Sequence, residues 1–140
     1  MTRAILKPLG SIIAAPALLA VLAAADGERV PSIRALMHKQ YTVSSAPFKI
    51  IGREVDAQPP DWEKVRQAGE KFAALAATLA KHTPGEGSQE SWRRLIDRHL
   101  ADAKAIEGAA KSHDLAVLRD AHRRIAASCK TCHDAHRFGR

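Results

Sequence analysis

The apolar positions of this 140-residue chain recur every three or four residues, which is the spacing of one face of a helix. No segment alternates apolar and polar residues with the β-branched enrichment typical of a strand. The pattern predicts four amphipathic helical stretches with short connections, and such stretches pack as an antiparallel four-helix bundle. The predicted fold class is therefore all-α.

Capping residues and helix breakers set the limits of the first two stretches. The first begins near Pro31, is interrupted around residues 44–46, and restarts over residues 47–55 with a proline in its first turn. The second follows a pair of prolines, uses Asp61 as its N-cap, and extends to about Lys81. We expect the restarted segment to continue the first stretch after a break.

The second half of the chain has equally clear boundaries. A Pro- and Gly-rich linker runs from His82 to Gly87, and Ser88 can cap the third stretch. A short turn at residues 111–113 then leads to the fourth stretch, from about Asp114 to Phe138. These features predict two long helices in the second half of the chain.

Residues 1–25 have the three-part pattern of a secretory signal peptide. Arg3 and Lys7 precede an uncharged stretch from Leu9 to Ala25, which ends in an A-x-A cleavage site. The sequence predicts cleavage near Ala25, a mature domain of residues 26–140 in the periplasm, and no stable membrane insertion after cleavage. An uncleaved membrane anchor is the alternative, although Pro16 lies in the middle of the stretch.

The composition suits one folded domain with an unusual core. Hydrophobic residues make up 46% of the chain, but aromatic residues only 4%. The core must be built from small aliphatic side chains or completed by a bulky group that is not an amino acid. Two cysteines exclude a multi-disulfide scaffold.

Both cysteines belong to the segment Cys129-Lys130-Thr131-Cys132-His133, the C-x-x-C-H attachment motif of c-type haem. On a helix, these two thiols and the imidazole lie on one side. The thiols can form thioethers with the two haem vinyl groups, and His133 can act as the proximal iron ligand. The motif predicts one covalent haem c.

Three other interpretations of the motif are weaker. A disulfide leaves His133 unexplained. A zinc site that adds His136 lacks a ligand from a second element. A thioredoxin-type motif needs a preceding strand, which the pattern does not contain.

The segment also resembles the haem segment of class II cytochrome c, the cytochrome c prime family. That family is a four-helix bundle with its haem motif on the last helix, and it commonly reads C-K-x-C-H-x-x-(Phe/Tyr)-Arg. Residues 129–137 match this pattern except that His136 replaces the aromatic residue, and Trp92 lies where the family often has a Trp. The resemblance covers about residues 31–138. It departs from the family at the interrupted first helix and at His122, where a large apolar residue is usual.

The resemblance implies the remaining site residues. In low-spin members a Met of the first helix is the distal iron ligand, and Met37 falls in that region. Packing of Met37 in the core and ligation by His38 remain alternatives. The resemblance places Arg137 near the proximal imidazole. Tyr41 can stack near the porphyrin or pack in the core, and His122 and His136 can bind a haem propionate or have no special role.

These features together predict a periplasmic single-electron carrier that is not an enzyme, because no second catalytic constellation is present. The alternatives are a five-coordinate haem protein that binds nitric oxide or carbon monoxide, and a haem-free structural bundle. The formal net charge is +7, with six basic residues against two acids between Arg119 and Arg140. This charge predicts either an acidic redox partner or simply a solvated face that the haem propionates partly neutralise. Nucleic-acid binding is disfavoured. A homodimer remains an alternative to a monomer, because members of the resembled family often form dimers through their first two helices.

Overall fold

The computed structural model describes residues 30–136, and this part of the chain contains helices and no strand. The elements in chain order are α1 (Ile33–Met37), a π-helical segment (His38–Thr42), α2 (Pro47–Asp56), α3 (Trp62–Leu79), α4 (Gln89–Ser112) and α5 (Leu115–His136). The all-α class is therefore confirmed. The predicted leader, residues 1–25, lies outside the described residues, as do Arg137 and the predicted end of the last helix at Phe138.

Side-chain caps begin the helices where the sequence predicts them. The Asp61 carboxylate accepts a hydrogen bond from the Lys64 N–H at 3.1 Å and begins α3. The Ser88 hydroxyl accepts one from the Ser91 N–H at 3.1 Å and begins α4. Each cap satisfies a backbone donor that has no partner within its own helix.

The break within the first stretch also lies where the sequence predicts it, because Pro47 occupies the first turn of α2. The turn before the last helix is shorter than predicted. Helix α4 continues to Ser112 and ends at His113, whose φ of 55° is left-handed. Helix α5 then begins at once.

The helices enclose a core made largely of alanine and aliphatic side chains. Helix α3 packs against α4, α4 against α5, and α2 against both α3 and α5. The larger side chains of this main core are Ile51, Val65, Phe72, Ile106, Leu118 and Ile125. The backbones of α3 and α4 approach closely at Gly69, where an added Cβ would lie 3.5 Å from the Glu107 Cα.

A second, smaller cluster lies where α1 meets α3 and α4. It contains Leu36, Leu79, Trp92 and Ile96, with Met37 packed against it. The main core includes no residue of α1, so this cluster is what holds α1 in place. It therefore positions Met37 relative to the other helices.

None of the described helices is both long and apolar enough to cross a membrane.

Candidate functional site

Helix α5 presents both thiols and the adjacent imidazole. Cys129 and Cys132 are half-buried free thiols, and His133 is exposed. The Cys129 S–H donates to the carbonyl oxygen of Ile125 at 3.4 Å, one helical turn earlier. Because positions three and four apart are neighbours on a helix, the three groups open onto the same space.

That space consists of two adjoining cavities of about 480 and 250 Å³. Both are lined by Cys132 and His133 of α5, by Met37 at the end of α1, and by Leu79 of α3. The larger cavity also extends along Trp92 and His136, and the smaller along Tyr41, Leu95, Ile96, His99 and Cys129. Together they have the size of a cofactor site, typically about 300 to 1,000 Å³.

Of the two candidates for the distal ligand, Met37 borders more of this space than His38 does. It is half-buried and lines both cavities, whereas His38 is exposed and lines only the larger one. The π-helical segment begins directly after Met37. Such segments are rare and often occur at functional sites.

Tyr41 lines the smaller cavity and also packs in the core. Its ring lies 5.1 Å from Phe48 and 5.9 Å from Phe72, measured between centroids. Burial, together with the nearby Cys129 and Cys132, raises the pKa of the Tyr41 hydroxyl above its ordinary value. Both roles that the sequence leaves open for Tyr41 are therefore compatible with its position.

His122 lies elsewhere. Its ring stacks on Phe48 with centroids 4.2 Å apart, and its Nε2 lies 3.3 Å from the Phe48 carbonyl oxygen. It lines neither cavity. Burial lowers the pKa of this imidazole. The structure thus places His122 in the contact between α2 and α5, while the predicted propionate contact stays a prediction.

Three ionisable residues that the sequence did not assign to the site also line the cavities: Arg34, Arg98 and His99. The Nε2 of His99 is buried and has no hydrogen-bond partner among residues 30–136, and burial lowers the pKa of its ring. The inward stripe of the third predicted stretch contains His99, so its position was readable as a pattern although its role was not.

The two arginines give the cavities a positive rim. Neither Arg34 nor Arg98 makes an ion pair within the part of the chain that the structure describes. No carboxylate of residues 30–136 lines either cavity. An occupant that carries acidic groups would therefore meet only positive or neutral side chains.

The thiols have the character of neutral sulfhydryls. Burial raises the pKa of both Cys129 and Cys132 above the ordinary thiol value. A zinc site needs thiolates, and both ring nitrogens of His136, the fourth ligand of that alternative, face other polar atoms. Residues 30–136 contain no group of three or more side chains arranged to hold a metal ion.

The basic run of α5 is largely paired. Arg123 and Arg124 both bind Asp120, Arg124 also binds the buried Asp102, and Lys130 binds Asp134. These acids pair with three of the four basic residues in the described part of α5, and Arg119 is the fourth. The unpaired arginines at the cavity rim lie on α1 and α4 instead.

Comparison of the chain with protein-family models, with curated proteins and with solved structures found no match.

Proposed function

We propose that this chain is an exported c-type monohaem cytochrome that carries single electrons between protein partners. Cys129 and Cys132 hold haem c through thioether bonds, His133 is the proximal iron ligand, and Met37 is the distal ligand. The observation that carries the proposal is that both thiols, His133 and Met37 all line the smaller cavity.

The residues of this space fit such a group. Its walls are mainly apolar, which suits the faces of a porphyrin, and its size is that of a cofactor site. The unpaired guanidinium groups of Arg34 and Arg98 are suitable counter-charges for the two carboxylates of haem. Thioether formation needs reduced, unpaired cysteines, and both Cys129 and Cys132 are free thiols.

When bound, haem would supply the one-electron iron couple. The chain supplies the surroundings that tune that couple. Leu79, Trp92 and Ile96 exclude water from one side of the space, and Met37 is held at its wall by the smaller cluster. A thioether sulfur at this position would raise the reduction potential relative to two histidine ligands. The proposed role is that of an electron carrier and not of an enzyme.

The proposal includes an antiparallel four-helix bundle, with α1 and α2 as one interrupted stretch. Two contacts between α4 and α5 support that arrangement. Trp92 near the start of α4 meets His136 at the end of α5, and Asp102 farther along α4 binds Arg124 nearer the start of α5. Contacts that advance along one helix while they retreat along the other are typical of antiparallel packing.

Absorption spectra of the exported protein test the proposal. The protein is expressed with haem-attachment machinery and recorded oxidised and reduced, with and without carbon monoxide. We expect a covalent, low-spin haem with a sulfur–iron band that carbon monoxide does not displace. Met37→Leu should abolish that band, whereas the control His38→Gln should retain it.

Three other outcomes would contradict the proposal in different ways. A high-spin spectrum that shifts with carbon monoxide would make gas binding the function and return Met37 to a packing role. Loss of the low-spin state in His38→Gln alone would identify His38 as the distal ligand. A chain that folds but binds no haem, and that is unaffected by replacing both cysteines with serine, would be a structural bundle.

A further inference from the structure

The C-terminal end of α5 is fixed to the start of α4 through the side chain of His136. This imidazole is only 4% exposed. Its Nδ1 lies 2.8 Å from the Glu86 carbonyl oxygen, and its Nε2 lies 3.1 Å from the Ser91 hydroxyl. Its ring meets Trp92 edge-on, with centroids 5.3 Å apart and planes at 80°.

The chemistry of these contacts defines one tautomer. Because a carbonyl oxygen can only accept, Nδ1 carries the proton and donates to Glu86. In the neutral ring, Nε2 then accepts a hydrogen bond from the Ser91 hydroxyl. Trp92 is held in turn, since its indole N–H donates to the His82 carbonyl oxygen at 2.8 Å. His136 is thus connected to both ends of the linker that precedes α4.

Gly87 in that linker permits this contact through its backbone conformation and its lack of a side chain. Its φ is +79°, a conformation that residues with a Cβ rarely adopt. A Cβ at this position would lie 2.5 Å from the Ala135 carbonyl oxygen and 2.6 Å from the His136 Nδ1. The linker backbone therefore lies directly against the last turn of α5, with no room for a side chain between them.

His136 lies one helical turn beyond His133, and both side chains line the larger cavity together with Trp92. We infer that His136 is a positioning residue, which fixes the last turn of α5 and thereby sets where His133 stands in the cavity. The inference rests on the proposed function only in naming His133 as the iron ligand. The contacts themselves involve no bound group.

Two substitutions of His136 separate its hydrogen bonds from its volume. His136→Phe keeps a ring against Trp92 but removes both hydrogen bonds. His136→Gln keeps an amide N–H that can donate to Glu86. Gly87→Ala disturbs the same contact from the linker side, and Gly108→Ala is its control, because a Cβ at Gly108 meets nothing within 4 Å.

Two measurements on the haem-loaded full chain test the inference. Amide hydrogen exchange of residues 133–136 reports whether the last turn is fixed, and the reduction potential reports the setting of His133. For His136→Phe and Gly87→Ala we expect the amides of this turn to exchange at least about ten times faster than in the parent chain, since each lost hydrogen bond contributes to local stability. We also expect a lower potential, because a loosened turn admits water to the cavity.

The conservative variant and the control should behave differently. His136→Gln should recover much of the protection and most of the potential, and Gly108→Ala should change neither. A His136→Phe protein that unfolds more readily but keeps the parent potential and spectrum would show that His136 is merely structural, and this would overturn the inference. Unchanged exchange at residues 133–136 would overturn it as well.

The two proposals can fail separately. If the parent chain binds no haem, the proposed function fails, and exchange measured on the haem-free chain still decides whether His136 fixes the last turn of α5. If haem is bound and the variants leave the potential unchanged, the proposed function stands and the positioning role falls.

Discussion

At the scale of single residues, Asp102 shows how burial changes the contribution of an ion pair to the free energy of unfolding. Its side chain is 9% exposed and accepts a hydrogen bond from the Arg124 Nε at 2.7 Å. Asp120 binds the same arginine, but its side chain is 46% exposed. A carboxylate surrounded by water gains little from a cation, whereas one removed from water depends on it.

We therefore expect Asp102→Ala to lower the free energy of unfolding by about 1 to 3 kcal/mol. The matched change Asp120→Ala should cost less than about 1 kcal/mol, because its pairs are exposed to solvent. Urea unfolding of the two variants measures both values. Equal losses would mean that the Asp102 pair has no more weight than a surface pair.

The pKa shifts of two histidines predict how the free energy of unfolding depends on pH. Burial lowers the pKa of His99 and of His122, so the fold favours their neutral forms. The unfolded chain takes up these protons at a pKa of about 6.5, before the folded chain does. Their contribution to stability is therefore complete above that pH and is lost as the pH falls below it.

Unfolding free energies measured from about pH 7.5 to pH 5.5 should decrease toward the acidic end for this reason. His122→Phe, which keeps a ring against Phe48, should flatten part of that decrease, and His99→Leu should flatten another part. A decrease of unchanged slope in both variants would contradict the assignment to these two imidazoles.

At the scale of helices, the sequence predicts what is decided locally. Asp61, Ser88 and Pro47 each act within three or four residues of their own position, so their roles are readable without the rest of the fold. Cys129, Cys132 and His133 are likewise close together in sequence, so their common side of α5 was predictable from local spacing. The all-α class and the starts of α2, α3 and α4 followed from such signals.

The features that the sequence did not predict depend on residues far apart in the chain or on small changes of helical pitch. His136 meets Glu86 and Ser91, which lie 50 and 45 positions away, and no spacing rule connects them. The π-helical segment at His38–Thr42 is too short for its period to be told from that of an α-helix. Likewise, nothing local marks Arg98 as a cavity residue, and the inward stripe that contains His99 does not reveal its role.

The cap of α4 offers a test at this scale. We expect Ser88→Ala to lower the free energy of unfolding by about 1 kcal/mol, because the Ser91 N–H loses its acceptor. Ser44 is an exposed loop residue that makes no hydrogen bond within residues 30–136, so Ser44→Ala should have almost no effect. Thermal unfolding compares the two, and equal stability of both variants would exclude a role for the cap.

At the scale of the whole molecule, some basic residues are paired with acids and others are not. The chain has a formal net charge of +7, yet the acids beside α5 engage much of that helix's basic run. The unpaired Arg34 and Arg98 border the cavities instead. Under the proposed function, an acidic partner is therefore expected to approach the cavity side, where α1 and α4 meet.

Small reagents can test this field before a partner is known. Of two one-electron reductants with similar driving force, the negatively charged one should reduce the haem-loaded protein about tenfold faster at low ionic strength. The difference should shrink as salt shortens the Debye length to about 10 Å at 0.1 M. A faster positively charged reagent would contradict the expected polarity of the surface around the haem.

The two tryptophans of the chain lie in different surroundings, and only Trp92 borders one of the two adjoining cavities. Trp92 lines the larger cavity, so a haem or any other absorbing occupant must quench its fluorescence by energy transfer. Trp62 instead stacks on the exposed His113, with centroids 4.9 Å apart, at the turn between α4 and α5. Replacing Trp62 by phenylalanine would therefore leave Trp92 as the remaining tryptophan emitter and give a variant whose fluorescence reports cavity occupancy.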